Sequence, residues 1–222
     1  MAKEIKKEAA QEAVEQVSKT DLFFQKYTKV IIICVTAVII VALAAFLYSR
    51  YIYAPAKAEA LGQMFPAEEL FAQQDYQTAL EGDGNILGFA QIAKEYGAKA
   101  GKAVFMYAGV CELQLGNYEE AVKYLDRYHG KDRILAGRAL ACKGDALSAL
   151  ERYDQALSCY LKAAKKSGNL YSAAYLLKAG VVAEELGKND VALDCYNTIK
   201  EEYPMSAEAM DIEKYITRIG NK

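Results

Sequence analysis

The sequence of 222 residues has no tryptophan, one histidine and only three prolines. The histidine, His129, lies in the segment HGKD, whose composition is typical of a loop. A single histidine excludes a catalytic triad that uses histidine and a metal site with two histidines. The scarcity of proline favours helices with few interruptions.

The cysteines are few, and their spacing does not indicate a metal site or a disulfide framework. No two of them form a CxxC pair, and all lie in apolar helical context: Cys34, Cys111, Cys142, Cys159 and Cys195. We therefore expect buried free thiols. Cys159 and Cys195 should stay reduced, because packed helices are roughly 8 to 10 Å apart, too far for a disulfide.

Charge and motif content argue against nucleic-acid binding and against catalysis. Before residue 30 there are six lysines and five acids, and the remainder has 21 basic and 24 acidic residues. Neither part has the basic surplus needed to bind a phosphate backbone. Asp83 and Asn85 suggest a calcium-binding loop. In such a loop Leu87 and Lys94 would stand at ligand positions, and their side chains have no oxygen to offer, so we do not expect calcium binding. We predict no enzyme activity, no metal and no cofactor.

One long apolar run divides the chain. Residues 30–48 carry no charge, and nineteen helical residues would span about 28 Å, close to the core of a bilayer. We predict a transmembrane helix over 30–48 after a short charged tail, 1–29. Lys19, Lys26 and Lys29 before the run outweigh Arg50 and Lys57 after it. This bias favours a cytoplasmic N-terminus and a main domain outside the cytoplasm.

The part beyond this run predicts one repeated helical domain. We expect a juxtamembrane helix or linker over 49–65, interrupted near Pro66. Repeats should occupy 66–204, with a divergent first unit and then units at about 102–133, 137–168 and 173–204. A capping helix is expected over 205–222, because its apolar residues recur with helical spacing.

The repeats are visible as a glycine and an alanine at fixed positions. Gly109, Gly144 and Gly180 are 35 and 36 residues apart, and the alanines 121, 156 and 192 have the same separations. These periods are one or two residues longer than that of a tetratricopeptide repeat, a pair of antiparallel helices. The predicted fold is all-α, a single N-terminal transmembrane helix followed by a tetratricopeptide-repeat solenoid.

Small residues in this pattern should mark the points where paired helices touch. We assign that packing role to two sets of residues, Gly109, Gly144 and Gly180 together with Ala121, Ala156 and Ala192. The bulky residues Leu125, Tyr160 and Tyr196 should fill the space between neighbours. Gly116 and Gly187 should end the first helix of their repeats, and Asn117 with Glu120 should cap the helix that follows the first of these glycines.

The first helices of such repeats line a concave groove, which is the predicted binding site. Its candidate residues are Ala103, Met106, Val110, Leu113 and Gln114 in one repeat, Arg138, Ala141 and Asp145 in the next, and Leu177 and Val181 in the last. One end of this groove is apolar, and the other, with Asp145, Glu184 and Glu185, is acidic. The groove could hold a hydrophobic helix or an extended polypeptide. Alternatively, the protein's own first helices could fill the apolar end.

One known type of groove does not fit. Grooves that grip the acidic C-terminus of cytosolic chaperones use Lys, Asn and Arg at inner positions. Met106, Val110, Ala141 and Asp145 stand there instead. A cofactor of cytosolic chaperones is therefore not expected.

The stretch FPAEELFAQQDYQTALEGDGNILGFAQIAKEYG and the repeat segment LGNYEEAVKYL, behind a charged tail and one anchor, resemble the YfgM-type ancillary subunit of the bacterial Sec translocon. The resemblance covers nearly the whole chain. It implies a single-pass protein of the cell inner membrane with a periplasmic repeat domain beside the translocon. The implied partners are translocon subunits, periplasmic chaperones or exported polypeptides. It implies no catalytic residues.

Two hypotheses follow for the function. In the first, the protein is a membrane-anchored scaffold whose exported repeat domain binds proteins during secretion or envelope assembly. In the second, the same domain faces the cytosol and receives targeting sequences at a membrane. The unpaired cysteines and the small charge bias leave this second arrangement open.

Overall fold

The computed structural model describes residues 26–220, apart from the side chain of Ala98. The chain forms two compact units, Met1–Pro55 and Ala56–Lys222. Between residues 26 and 220 the chain is helical without strands, and an isolated bridge joins Gly82 to Leu87. The predicted all-α class is confirmed. The predictions for the charged tail before residue 26 lie outside the described residues.

The described residues of the first unit form a helix, α1, over residues 26–48, and a π-helical turn follows it at Ser49–Tyr53. Large apolar side chains such as Ile33, Val38 and Val41 are exposed along α1. The hydroxyl of Thr36 donates a hydrogen bond to the Ile32 carbonyl at 2.7 Å, so this polar group is satisfied within the helix. By its length and composition, the helix is capable of crossing a membrane.

The second unit is built mainly from α-helices, with short 3-10 turns at Gly97–Ala100 and Glu208–Asp211. Its α-helices in chain order are α2 Ala54–Ala72, α3 Tyr76–Glu81, α4 Phe89–Glu95, α5 Ala103–Gln114, α6 Tyr118–Asp126, α7 Arg133–Ala149, α8 Tyr153–Ser167, α9 Tyr171–Glu185, α10 Asn189–Glu202 and α11 Ile212–Gly220.

The same turn joins four pairs of consecutive helices, α2 to α3, α5 to α6, α7 to α8 and α9 to α10. Its central residue has a positive φ in each case, at Gln74, Gly116, Glu151 and Gly187. The next residue donates its N–H to a carbonyl five positions back, as Arg152 does to Leu147 at 2.8 Å. This pattern is a Schellman-type helix end. The predicted roles of Gly116 and Gly187 are confirmed.

The predicted cap of α6 is wrong. The Asn117 side chain makes no capping hydrogen bond; its amide donates instead to a Glu112 carboxylate oxygen at 2.9 Å. Glu120 pairs with Lys123. The reason is that Glu112 is buried, and a buried carboxylate must find a hydrogen-bond donor.

The helix α2 runs through Pro66, so the expected interruption at that residue is also wrong. A proline inside a helix removes one hydrogen bond, which tertiary packing can offset. Here Ala60, Met64 and Ala67 form a buried stripe in the first core cluster of the repeat domain. Phe71 continues this cluster, with its ring 5.1 Å from the ring of Tyr107.

A second core cluster fills the last repeats, around Leu147, Tyr160, Tyr196 and Ile199. At its outer side α11 contributes Ile212 and Ile219, which are buried. This helix therefore covers the apolar face that the last repeat would otherwise expose.

Ion pairs connect the helices of the last three repeats and of the terminal helix α11 on the surface. The partners are separated by 33 or 34 residues, close to one repeat: Glu119 with Arg152, Asp145 with Lys178, Asp154 with Lys188, and Glu184 with Arg218. The recurrence of this spacing shows that neighbouring repeats stack in a regular way.

Candidate protein-binding groove

The groove depends on close packing of the two helices within each repeat. A Cβ added to Gly109 would lie 2.6 Å from the Leu125 side chain. At Gly144 the same atom would lie 2.6 Å from the Tyr160 ring, and at Gly180 it would lie 2.2 Å from the ring of the corresponding tyrosine. Each bulky residue follows its glycine by sixteen positions. The glycines thus let the second helices approach and hold the first helices in place.

An open cavity of about 320 Å³ lies between two first helices, α7 and α9. From α7 it is lined by Ile134, Leu135, Arg138, Ala141, Cys142 and Asp145. From α9 it is lined by Tyr171, Tyr175 and Lys178. We call this cavity the α7–α9 groove. Its volume is at the lower end of the range of pockets that hold small ligands.

Charges are held in fixed positions along the inner wall of the groove. Asp145 accepts hydrogen bonds from the Tyr160 hydroxyl at 2.8 Å and from the Lys178 ammonium at 2.6 Å. Burial raises the pKa of Tyr160, and the Asp145 charge raises it further, so the hydroxyl remains a donor. Arg138, by contrast, is exposed and has no ion-pair partner among residues 26–220.

The outer part of the groove is apolar. Ile134 and Leu135 at the start of α7 are both exposed, as is Tyr171 at the start of α9. Exposed aliphatic and aromatic side chains beside a fixed cation suit a polypeptide better than a free ion. The thiol of Cys142 also lines the groove, and burial raises its pKa, which keeps it protonated and poorly reactive.

Three predicted groove residues, Arg138, Ala141 and Asp145, line this cavity together. On α9 the two predicted groove residues do not line the cavity. Leu177 packs against the core cluster, and Val181 is exposed without lining the cavity. Sequence analysis missed Tyr171, Tyr175 and Lys178. The cavity lies between two helices, so α9 presents to it the flank that faces α7 rather than the concave face.

The apolar end of the predicted groove is closed by the protein itself. Met106 is buried in a small cluster with Leu125 and Ala139, and Val110 is buried as well. Ala103 and Leu113 are partly buried and Gln114 is exposed. Met106 and Val110 therefore offer no open surface to a partner.

Nothing in residues 26–220 brings together three or more His, Cys, Asp or Glu side chains that could hold a metal. Asp83 accepts hydrogen bonds from the backbone N–H groups of Asn85 and Ile86. These bonds lower the pKa of the Asp83 carboxyl. The carboxylate therefore stabilises the turn that it belongs to. His129 is exposed, and its carbonyl accepts a hydrogen bond from Lys102 at 2.7 Å.

Comparison with known families agrees with this geometry. Residues 103–131 and residues 143–207 match two family models, each described as a tetratricopeptide repeat. The chain is a tetratricopeptide-repeat protein. A search of curated proteins gave no match. Tetratricopeptide repeats mediate protein–protein interactions and are in general scaffolds rather than enzymes.

Proposed function

We propose that this protein is a membrane-anchored scaffold that binds polypeptides in the α7–α9 groove and works outside the cytoplasm during secretion or envelope assembly. The observation that carries the proposal is the groove itself, an open cavity between two first helices with an apolar outer part and fixed charges inside. The cavity lies between the first helices of two stacked repeats, where repeat proteins of this kind offer surface to a binding partner.

The chemistry of the groove defines a type of occupant. The apolar part formed by Ile134, Leu135 and Tyr171 favours an occupant with an apolar side chain. Asp145 is already neutralised by Lys178, whereas Arg138 has no acidic partner within the described residues. The best-suited occupant is a segment that carries an apolar residue followed by a carboxylate, which would pair with Arg138.

The proposed membrane location and the orientation of the chain rest on the first unit. Its apolar helix suits a bilayer, and lysine is more frequent before it than after it. In this arrangement the N-terminus is cytoplasmic and the repeat domain is periplasmic. The resemblance to the ancillary translocon subunit supports the same arrangement. The partners in this proposal are translocon subunits, periplasmic chaperones or exported polypeptides.

Site-specific photocrosslinking in cells tests the groove. A benzophenone amino acid placed at Tyr175, on the groove wall, should capture translocon subunits, chaperones or exported chains. The matched control is the same amino acid at Tyr118, a partly buried tyrosine at the start of α6 that does not line the groove. Equal capture from both positions, or capture of unrelated membrane proteins alone, would overturn the proposal.

A cytosol-facing receptor for targeting sequences is the second candidate. It is favoured by the thiols of the repeat domain, Cys111, Cys142, Cys159 and Cys195, all of which are free. Free thiols are common in reducing compartments and less so in oxidising ones. The two candidates share the groove and differ in the side of the membrane on which it lies.

A further inference from the structure

The repeat domain has an uneven distribution of charge. No Asp or Glu occurs between Asp154 and Glu184, while this stretch holds four lysines. The chain as a whole has a net charge of −2. Part of the domain is therefore basic even though the chain is weakly acidic.

The structure gathers most of this basic charge on one surface. Arg133, Lys162, Lys165 and Lys166 surround Leu140 and line a shallow, open depression of about 540 Å³. None of these four side chains forms an ion pair with another of the described residues 26–220, although eight ion pairs occur elsewhere on that part of the chain. Arg133 donates a hydrogen bond to the Lys166 carbonyl at 3.3 Å, which joins the start of α7 to the end of α8.

Large apolar side chains are exposed at positions next to these cations in the sequence. Ile134 and Leu135 follow Arg133, and Leu170 and Tyr171 follow the end of α8 with 58% and 60% of their surface exposed. Ile134, Leu135 and Tyr171 line the same cavity, so α7 and α9 begin side by side. We call the surface formed by Arg133, Lys162, Lys165, Lys166, Leu170 and Tyr171 the basic–apolar edge.

We propose that the basic–apolar edge binds the surface of an anionic lipid bilayer and so gives the protein a second membrane contact besides its N-terminal helix. Lysines attract anionic headgroups, and an adjacent tyrosine and leucine can enter the interface between headgroups and acyl chains. A free phosphate would use the cations but not the apolar side chains. Tyr171 also lines the α7–α9 groove, so a bilayer on the edge would compete with a polypeptide for this one side chain, whereas the four cations belong to the edge alone.

The N-terminal helix strengthens this second contact. If that helix spans the bilayer, the contact between the edge and the lipid surface becomes intramolecular, which lowers the affinity that the edge itself must supply. The attraction should weaken with added salt, because ions screen the lysines from the headgroups.

The chain has no tryptophan, which allows a fluorescence test with the full chain in lipid nanodiscs that are bounded by a polymer without tryptophan. Tyr171→Trp places the only tryptophan on the edge. Its emission should shift to the blue and be quenched by brominated lipids in phosphatidylcholine–phosphatidylglycerol discs, and not in discs of phosphatidylcholine alone. Val181→Trp is the matched control, ten residues or about 15 Å further along α9, and should be quenched in neither.

A variant without the lysine charges tests whether quenching requires binding by the edge or arises only because the chain is held near the disc. In the Tyr171→Trp background, Lys162→Gln, Lys165→Gln and Lys166→Gln together should abolish the quenching. The control Lys188→Gln, Lys200→Gln and Lys214→Gln removes the same charge from other surfaces and should leave the quenching intact.

Equal quenching in neutral and anionic discs, or quenching that persists in the edge variant, would overturn the proposal. An emission shift caused by polyglutamate in detergent, without quenching in anionic discs, would assign the edge to an acidic polypeptide instead. High salt should reverse the quenching in anionic discs, and quenching that resists salt would also count against the proposal.

Discussion

The hydroxyl of Tyr160 donates a hydrogen bond to Asp145 at 2.8 Å, while the ring of the same tyrosine occupies the space beside Gly144. One side chain thus fixes the packing of α7 against α8 and holds an acidic group of the groove in position. Asp145 in turn binds Lys178 on α9. The core of the repeat and the charge of the groove are therefore coupled.

Gly144→Ala should destabilise the domain by about 1 to 3 kcal/mol, because the new methyl group would overlap the buried Tyr160 ring. Gly62→Ala is the control. Apart from the adjacent residues and the nearby backbone of α2 itself, no atom lies within 4 Å of a Cβ at this position, so the higher helix propensity of alanine should stabilise the helix by up to about 1 kcal/mol. Urea unfolding measures both, and equal effects of the two variants would contradict the close approach.

Glu151→Gly should stabilise the domain by about 0.5 to 1 kcal/mol. Glu151 has φ 58° at the turn after α7, a conformation that costs a residue with a Cβ more than it costs glycine. The equivalent residue in the repeats on either side is glycine. The reverse change, Gly116→Glu, should destabilise by a similar amount in thermal unfolding. A loss of stability in Glu151→Gly would show that the side chain matters more than the backbone.

Arg218→Gln should cost about 1 to 3 kcal/mol, whereas Arg152→Gln should cost less than about 1 kcal/mol. Both arginines are about half exposed, so their partners decide the difference. The Glu184 side chain is 8% exposed, and that of Glu119 is 53% exposed. Losing Arg218 weakens the pairing of a buried carboxylate that the Tyr196 hydroxyl also contacts at 2.8 Å. Similar losses in the two variants, measured by chemical denaturation, would be inconsistent with this explanation.

Stability should fall as the pH rises above about 9 because of the buried thiols. Burial raises the pKa of Cys111 from 9.0 to about 12 and that of Cys195 to about 11. Above pH 9.0 the unfolded chain loses these protons while the folded chain keeps them, so the free energy of unfolding decreases until the folded pKa is reached. Replacing Cys111 by alanine should make this decrease shallower between about pH 9 and 11. The control is Cys34→Ala, outside the repeat domain. If the free energy of unfolding fell equally steeply with pH in the wild type and in both variants, buried Cys111 would not be the cause.

The repeated helix pairs could be predicted because the two residues of each helix contact lie only sixteen positions apart in the sequence. A glycine and a bulky residue sixteen positions later mark each contact, as in Gly144 with Tyr160. The turn glycines 116 and 187 were recognisable for the same reason. Glu151 and Gln74 adopt the same turn without glycine, so composition alone does not reveal them.

The groove was harder to predict because it depends on how neighbouring repeats rotate against each other. Arg138 and Asp145 were identified from their positions in the repeat, but Tyr175 and Lys178 lie on the flank of α9 that turns towards α7. Met106 appeared available in sequence and is buried by Leu125 and Ala139. Such contacts join residues that are distant in sequence, and no local pattern records them.

Topology is the most direct test of the central claim that the repeat domain meets polypeptides outside the cytoplasm. A reporter enzyme that is active only after export, fused behind Lys222, should be active in cells. Protease added to cells without an outer wall should then degrade the repeat domain. An inactive reporter together with a protected domain would contradict the claim, and would place the α7–α9 groove and its free thiols in the cytosol.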